Sequence, residues 1–298
     1  MVTIDEIFIN THTITLNNMR KISILGCGWL GLPLAKAILY KGFQVNGSTT
    51  TVEKLSILKD EGIYPFLIDI PLFIDKENLD SNSFSDAMNS FLQGSETLII
   101  DIPPKLRGDS AATNEKTFVK KVATLIPFIE QSTVQNVIFV SSTSIYGEGQ
   151  LIVTELTKPQ PDTESGKQLL ESEQLLQNNT HFKTTLVRFG GLIGADRQPG
   201  KYLAGRENLE NPDAPVNLIH QKDCIGIILK IIEMNSWNEI FNAVSYFHPS
   251  REQYYTQKAA ELNLALPKFD YSKPSSGKLI ENDKVINLLK YTFTEPNL

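Results

Sequence analysis

The chain has 298 residues, of which 41% are hydrophobic and 21% charged, an ordinary globular composition. Its formal net charge of -6 argues against general binding to nucleic acids or anionic membranes, because both need a basic surface. No apolar run reaches the ~18 residues that span a bilayer, and Cys27 and Cys224 lack metal-ligand spacing. We therefore expect a reduced, cytoplasmic protein without a metal site.

The first segment, residues 1–18, has neither the basic start nor the long apolar core of a signal peptide. Met19 follows it and opens MRKISILGCG, which reads as the start of a protein. Two interpretations stay open: translation begins at Met19, or residues 1–18 form a disordered N-terminal extension. The intact mass of the native protein distinguishes them.

From residue 21 to about residue 190, short apolar runs rich in β-branched residues alternate with segments of helical spacing. The predicted strands are, in order, KISILG, FQVNGSTT, YPFLIDI, ETLIIDIPP, NVIFVSST and KTTLVRFGGLIG. The predicted helices between them include WLGLPLAKAILYKG and ESGKQLLESEQLLQN, the latter with leucines on one side and acids and amides on the other. This alternation predicts an α/β fold with a Rossmann-type, doubly wound parallel sheet.

After residue 190 a polar loop rich in glycine and proline leads into HQKDCIGIILKIIEMN, NEIFNAV and SREQYYTQKAAELNL. We read these as a helix, a strand and a helix of a smaller C-terminal α/β lobe. The predicted division is an NAD(P)-binding Rossmann domain, 19–188, and a substrate-binding lobe packed on the sheet edge, 189–298. His220 and Asp223 are a possible catalytic pair, but the favoured interpretation makes Asp223 the N-cap of the helix.

Residues 26–31, GCGWLG, form a GxGxxG that follows the first strand and opens the first helix, the context a dinucleotide site requires. Gly26 allows the tight turn, Gly28 lets the backbone approach a pyrophosphate, and Gly31 lets helix and strand pack closely. Trp29 and Leu30 belong to the helix N-terminus that faces the phosphates. The alternative is a merely structural turn.

The choice of cofactor depends on the end of the second strand. An NAD site usually places an acid about 20 residues after the glycines, but this strand ends with Ser48, Thr49 and Thr50. Their hydroxyls and Lys54 could hold a 2′-phosphate, so NADP is preferred over NAD, unless these hydroxyls only cap the next helix. Asp69, after the third strand, could reach the adenine amine or cap a loop.

Four segments in order resemble the extended short-chain dehydrogenase/reductase family of sugar-nucleotide epimerases and dehydratases, and together they cover nearly the whole chain from residue 20. They are FVSSTSIYG (139–147), LVRFGGLIG (186–194), VNLIHQKDC (216–224) and FNAV (241–244). The glycine turn, DIPP (101–104) and PDTESGK (161–167) are similar to an atypical, YeeZ-like subgroup of that family.

The resemblance implies that Ser142 holds a substrate hydroxyl or carbonyl and that Lys167 binds the nicotinamide ribose. The family's Tyr-x-x-x-Lys motif, however, has Thr163 in place of its tyrosine. A threonine cannot act as the proton carrier, since its hydroxyl is far less acidic than a phenol. Tyr146 is the nearest other candidate, although a packed aromatic is the favoured interpretation of it. Thr143 and Ser144 replace the dehydratases' acidic pair, which argues against dehydration.

Further expectations concern the surroundings of the site. Pro103 would form a rigid wall beside the cofactor, and Gly190 would allow close backbone approach to it. Arg197, Lys201 and Arg206 would bind a diphosphate or carboxylate over the crevice, or else form an ordinary solvated loop. By resemblance, the helices at about 112–131 and 164–178 would form a homodimer face.

Three functions follow from these residues. The first is an NAD(P)-dependent oxidoreductase or epimerase with another proton carrier, acting on a sugar nucleotide or on a similar, anionic or neutral, small molecule. The second is a catalytically inactive NAD(P)-binding sensor or regulator. The third is a different reaction that needs no proton relay there. A relation to the 6-phosphogluconate or UDP-glucose dehydrogenases is disfavoured, because the chain lacks their long second helical domain.

Overall fold

A computed structural model of the chain describes residues 20–72, 83–104 and 115–295. The predicted N-terminal extension, residues 1–18, lies outside the described residues, as does Met19. The strands are β1 (Lys21–Leu25), β2 (Gln44–Thr49), β3 (Tyr64–Leu67), β4 (Thr97–Ile100), β5 (Asn136–Ser142), β6 (Ile152–Val153), β7 (Lys183–Phe189), β8 (Gly191–Ile193), β9 (Leu218–His220), β10 (Ile240–Ala243) and β11 (Leu279–Ile280).

The α-helices alternate with these strands through most of the chain. They are α1 (Gly31–Tyr40), α2 (Lys54–Asp60), α3 (Ser83–Leu92), α4 (Thr117–Glu130), α5 (Glu164–Gln177), α6 (Gly200–Leu203), α7 (Gln221–Met234), α8 (Arg251–Glu261) and α9 (Asp283–Asn287). A 3₁₀ turn, Thr143–Ile145, follows β5. None of the described helices is long and apolar enough to cross a membrane.

The main sheet has seven strands in the order β10-β7-β5-β4-β1-β2-β3. Strand β1 pairs in parallel with β2 and β4, β2 with β3, and β7 with β10. Strands buried on both faces read as continuous apolar runs, and β4 is buried throughout. The predicted Rossmann-type sheet is therefore confirmed.

The predicted sixth strand, KTTLVRFGGLIG, is two strands rather than one. Strand β7 ends at Phe189, and β8 leaves the main sheet to pair with β9 in a separate two-stranded sheet. Strand β6 pairs in the same way with β11. Strand β10, which the sequence placed in a separate lobe, is an edge strand of the main sheet.

The described chain forms two compact units. The first comprises residues 20–72, 83–102 and 124–138, and the second comprises 103–104, 115–123 and 139–295. The predicted domain boundary between residues 188 and 189 falls inside the second unit.

Asp223 does not cap the helix that follows it, so this prediction is wrong. Helix α7 begins at Gln221, and the cap is His220, whose Nδ1 accepts from the Lys222 N–H at 3.2 Å. The buried Asp223 carboxylate instead accepts four hydrogen bonds, at 2.7 to 3.2 Å, from a segment about 70 residues further on. The donors of this C-terminal clasp are the Tyr291 hydroxyl, the Thr294 N–H and hydroxyl, and the Glu295 N–H.

Candidate functional site

The glycine turn of the first unit uses its three glycines for two different purposes. Gly26 has φ +108°, and a Cβ there would lie 2.2 Å from the Asp101 carbonyl oxygen. A Cβ on Gly31 would lie 2.1 Å from the Gly26 carbonyl oxygen, whereas a Cβ on Gly28 would meet nothing within 4 Å. Packing therefore requires the first and third glycines, and the middle one borders open space that a pyrophosphate can enter.

The backbone at this turn offers hydrogen-bond donors. Helix α1 begins at Gly31, its N-cap residue Leu30 makes no side-chain cap, and its first turn holds no acid. In the part of the chain that the structure describes, the N–H groups of Leu30 and Gly31 have no hydrogen-bond partner. Trp29 lies beside them, half-buried. Free N–H groups at a helix start bind anions, so this turn fits a dinucleotide pyrophosphate.

Ser48 supports the turn from behind. It is buried, its Oγ accepts from the Gly26 N–H at 2.9 Å, and its carbonyl accepts from the Cys27 N–H at 2.7 Å. Ser48 therefore holds the glycine turn in place from a buried position, and its contact with a cofactor stays a prediction. Burial, and then the charge of Asp101, raise the pKa of the Cys27 thiol to about 12, which keeps it an unreactive core residue.

The threonine hydroxyls at the end of β2 do not cap the next helix. Thr49 Oγ1 accepts from the Thr51 N–H at 3.1 Å, and α2 begins after Glu53 without any side-chain cap. The interpretation of these residues as helix caps is therefore wrong. Thr50 and Lys54 are exposed, as is Asp69 after β3.

The segments carrying Ser142 and Lys167 lie in the second unit. Ser142 caps the 3₁₀ turn, its Oγ accepting from the Ser144 N–H at 3.1 Å. Thr163 is the N-cap of α5, its Oγ1 accepting from the Gly166 N–H at 3.1 Å. Lys167 is exposed in the first turn of α5 and has no side-chain partner among the described residues. Thr163 thus has a local structural role as a helix cap.

Tyr146 is only 1% exposed, and its hydroxyl is surrounded by partners. The oxygen accepts from Arg188 Nη1 at 2.6 Å and lies 3.0 Å from Asn242 Oδ1 and 3.2 Å from the Thr154 carbonyl oxygen. Burial raises the pKa of this phenol, although the Arg188 charge opposes the rise. These contacts favour the packing interpretation of Tyr146 over the proton-carrier interpretation.

Behind Tyr146 lies a buried ion pair that the sequence did not reveal. Arg188 binds both carboxylate oxygens of Glu173, at 3.1 and 2.7 Å, and Ser141 donates to the same carboxylate at 2.6 Å. Both charged side chains are under 5% exposed. Glu173 was predicted on the exposed side of its helix, and it lies instead on the buried side. We call the set the support network: Ser141, Tyr146, Glu173, Arg188 and Asn242.

The second unit also contains a cavity of about 440 Å³, here called the Ser142 cavity. Arg251, Tyr255 and Lys278, none of which the sequence singled out, line it together with Ser142. Its complete lining is Ser142, Thr143, Ser144, Glu148, Asn211, Ala214, Pro215, Val216, Asn217, Leu218, Arg251, Tyr255, Ser276 and Lys278.

Several residues predicted to surround the ligand do not line the Ser142 cavity, and their contacts with a ligand stay predictions. Arg197, Lys201 and Arg206 do not line the Ser142 cavity. The close backbone approach at Gly190 is to the chain itself, since a Cβ there would lie 2.7 Å from the Asn217 carbonyl oxygen. Pro103 is exposed after β4. Packing against the Asn217 backbone is thus one reason for a glycine at position 190.

We compared the sequence and the fold of this chain with those of known proteins. No family model matches the chain. It is 32% identical to protein YeeZ of Escherichia coli K12 over 282 residues, 94% of this chain and 97% of that protein. Its fold is similar to that of UDP-glucuronic acid 4-epimerase from Bacillus cereus in complex with NAD (18% identity, 92% of each chain, TM-score 0.74). A short-chain dehydrogenase/reductase superfamily protein of Agrobacterium tumefaciens with bound NAD is equally similar (15% identity, 92% of each chain, TM-score 0.74).

Proposed function

The chain belongs to the epimerase/dehydratase-like family of short-chain dehydrogenases/reductases, in its YeeZ-like subgroup, and on that premise we propose that it is an NAD(P)-dependent oxidoreductase or epimerase. Its substrate would be a sugar nucleotide or a similar anionic small molecule. The observation that carries this proposal is the glycine turn, where Gly28 borders open space and the N–H groups of Leu30 and Gly31 have no partner among the residues described.

The bound nicotinamide would supply hydride transfer. The glycine turn would hold the pyrophosphate and Asp69 the adenine, while Lys167, exposed and unpartnered among the described residues, would bind the nicotinamide ribose. Ser142 would hold the reacting hydroxyl or carbonyl, because its Oγ keeps its own hydrogen to donate while it accepts from Ser144.

We expect NADP to be preferred over NAD. No acid stands at the end of β2, and Thr50 and Lys54 are both exposed there. A 2′-phosphate would gain a hydroxyl donor and a cation from these two residues. Glu53, immediately before Lys54, carries an opposing charge that limits the preference.

Fluorescence titration with NADPH and NADH tests the binding proposal. Lys54→Glu should weaken NADPH binding several-fold and leave NADH binding nearly unchanged, since only NADPH carries the extra phosphate. Lys59→Glu, in the same helix and equally exposed, is the matched control and should change neither. Tight NADH binding without NADPH binding would refute the preference, and failure of both to bind would refute the proposal.

A second candidate is a cofactor-binding sensor or regulator without turnover. Two observations favour it: Thr163, which stands where the resemblance expects the proton-carrying tyrosine, caps a helix, and the other candidate carrier, Tyr146, is engaged in the support network. Two readouts with a panel of UDP-sugars separate the candidates: reduced-nicotinamide absorbance detects net oxidation or reduction, and chromatography of the UDP-sugars detects epimerisation, which regenerates the cofactor in each cycle. Turnover with any of them supports the enzyme, and binding without turnover supports the sensor.

A further inference from the structure

The Ser142 cavity is a polar pocket built entirely within the second unit. Helix α8 contributes one face, because Arg251 and Tyr255 are four residues apart and both line the cavity. Two chain segments, 211–218 and 276–278, close another side, and they touch so tightly that a Cβ on Gly277 would lie 2.8 Å from the Ala214 Cβ.

Most polar groups in this lining already have partners. Lys278 Nζ lies 2.6 Å from Glu148 Oε1 and 2.6 Å from the Tyr146 carbonyl oxygen. Asn217 donates to the Lys278 carbonyl oxygen and accepts from the Ile280 N–H. These residues hold the walls together and have little capacity left for a ligand.

Arg251 differs from Lys278, because it has no carboxylate partner among the described residues. One of its terminal nitrogens donates to the Glu210 carbonyl oxygen, and its guanidinium lies over the Phe269 ring, 6.0 Å from the centroid. These contacts fix the side chain but leave other N–H groups free. Since Glu148 neutralises Lys278, the positive charge of Arg251 is uncompensated in this lining.

Hydroxyl groups in the cavity are also uncommitted, among them those of Tyr255 and Ser142. The Tyr255 hydroxyl has no hydrogen-bond partner in the described part of the chain, and Ser142 uses only an acceptor position. Within the described part of the chain, one guanidinium with unused N–H groups lies beside hydroxyls that can still donate. This set matches one compact oxyanion on a hydroxylated body, because arginine binds carboxylate and phosphate through paired hydrogen bonds.

We propose that the Ser142 cavity binds a small hydroxylated molecule through a single oxyanion, a carboxylate or a phosphate, held by Arg251, with its hydroxyls at Ser142 and Tyr255. This inference rests on the proposed function in taking the cavity as the substrate site. It assigns anion recognition to Arg251, in place of the residues that the sequence predicted, Arg197, Lys201 and Arg206.

Calorimetry on the full chain, with and without saturating NADPH, tests the proposal with glucuronate, glucose 6-phosphate and glucose as probes. At least one anion should bind about tenfold or more tightly than neutral glucose, since charge-assisted hydrogen bonds are the strong ones. The tighter of the two anions identifies carboxylate or phosphate as the group recognised. Equal binding of all three, or binding of none, would overturn the proposal.

Arg251→Met should weaken binding of the preferred anion about tenfold or more, whereas Arg251→Lys should retain part of it. Arg20→Met is the matched control, because Arg20 also lies over a ring, that of Phe43 at 5.6 Å, but does not line the cavity. If Arg251→Met fails to fold, Tyr255→Phe should still weaken binding measurably. Unchanged binding in the folded variants overturns the proposal. Loss of NADPH and NADH binding alone refutes only the proposed function.

Discussion

The glycine turn and the support network both hold a strand end in place, by opposite means. In the turn, backbone atoms approach so closely that side chains must be absent, as the 2.1 and 2.2 Å contacts of added Cβ atoms show. In the support network, two buried charges and their hydrogen bonds must be present, and they come from residues as far apart as Tyr146 and Asn242. Substitutions that add atoms should therefore destabilise the glycine turn, and substitutions that remove a charge or a hydrogen-bonding group should destabilise the support network.

The largest effect is expected in the support network. Glu173→Gln would leave the Arg188 guanidinium buried without its counter-charge, and should lower the free energy of unfolding by about 3–5 kcal/mol. Urea denaturation measures this loss. Glu171→Gln, two residues away in α5, breaks only an exposed ion pair with Lys116 and should cost under about 1 kcal/mol. Equal losses in the two variants would show that the buried pair does not stabilise the unit.

The glycine turn offers the converse test. Gly31→Ala should cost near the upper end of about 1–3 kcal/mol, because the methyl group would overlap a backbone oxygen that cannot move away easily. Gly28→Ala should change stability by less than about 0.5 kcal/mol, since nothing lies within 4 Å, but should weaken NADPH binding. Thermal denaturation measures the stability of both variants, and fluorescence titration measures their NADPH binding. A Gly28→Ala variant that binds NADPH normally contradicts the role of this turn.

Tyr146→Phe should destabilise the protein by about 2 kcal/mol, because Arg188 and Asn242 lose a buried partner. The wild type should also lose stability as the pH rises past the ordinary tyrosine pKa of 10.0. The pKa of Tyr146 is raised in the fold, so its neutral form is preferred there and the unfolded chain releases the proton first. The variant should show a shallower loss of stability above that pH. Abolished turnover with unchanged stability would instead favour Tyr146 as a proton carrier.

The smallest effect is expected at the cap of α5. Thr163→Tyr removes the hydroxyl that accepts from Gly166 and should cost about 1 kcal/mol, while Thr163→Ser should retain the cap. Urea denaturation compares the two. If Thr163→Tyr gains reductase activity on a UDP-sugar, the missing tyrosine alone explains the departure from the family. If no activity is gained, the absence of this tyrosine is not a sufficient explanation, and other residues of the site must also differ from those of the family.

Local sequence patterns were sufficient to predict the glycine turn, but not the support network. The strand periodicity and the GxGxxG predicted the sheet and the glycine turn, because both depend on backbone geometry encoded over a few residues. The buried position of Glu173 was not predictable, since an acid in an amphipathic helix normally faces solvent and its partner Arg188 lies on the next strand.

The Ser142 cavity was missed for a similar reason. Arg251, Tyr255 and Lys278 belong to segments without a recognisable motif, and only the folded chain brings them beside Ser142. The sequence instead singled out Arg197, Lys201 and Arg206, because clustered cations in a loop are conspicuous in a linear pattern. Clustering along the chain does not show which cation lines a cavity in the fold.

The C-terminal clasp has a consequence for how this protein is made. Asp223 is buried, and its four hydrogen-bond donors all belong to residues 291–295. During synthesis, helix α7 therefore leaves the ribosome about 70 residues before the groups that solvate its carboxylate. Until then Asp223 must stay in contact with water, so the start of α7 can dock only after residue 295 has emerged. Assembly of this part of the second unit is thus tied to the synthesis of residues 291–295.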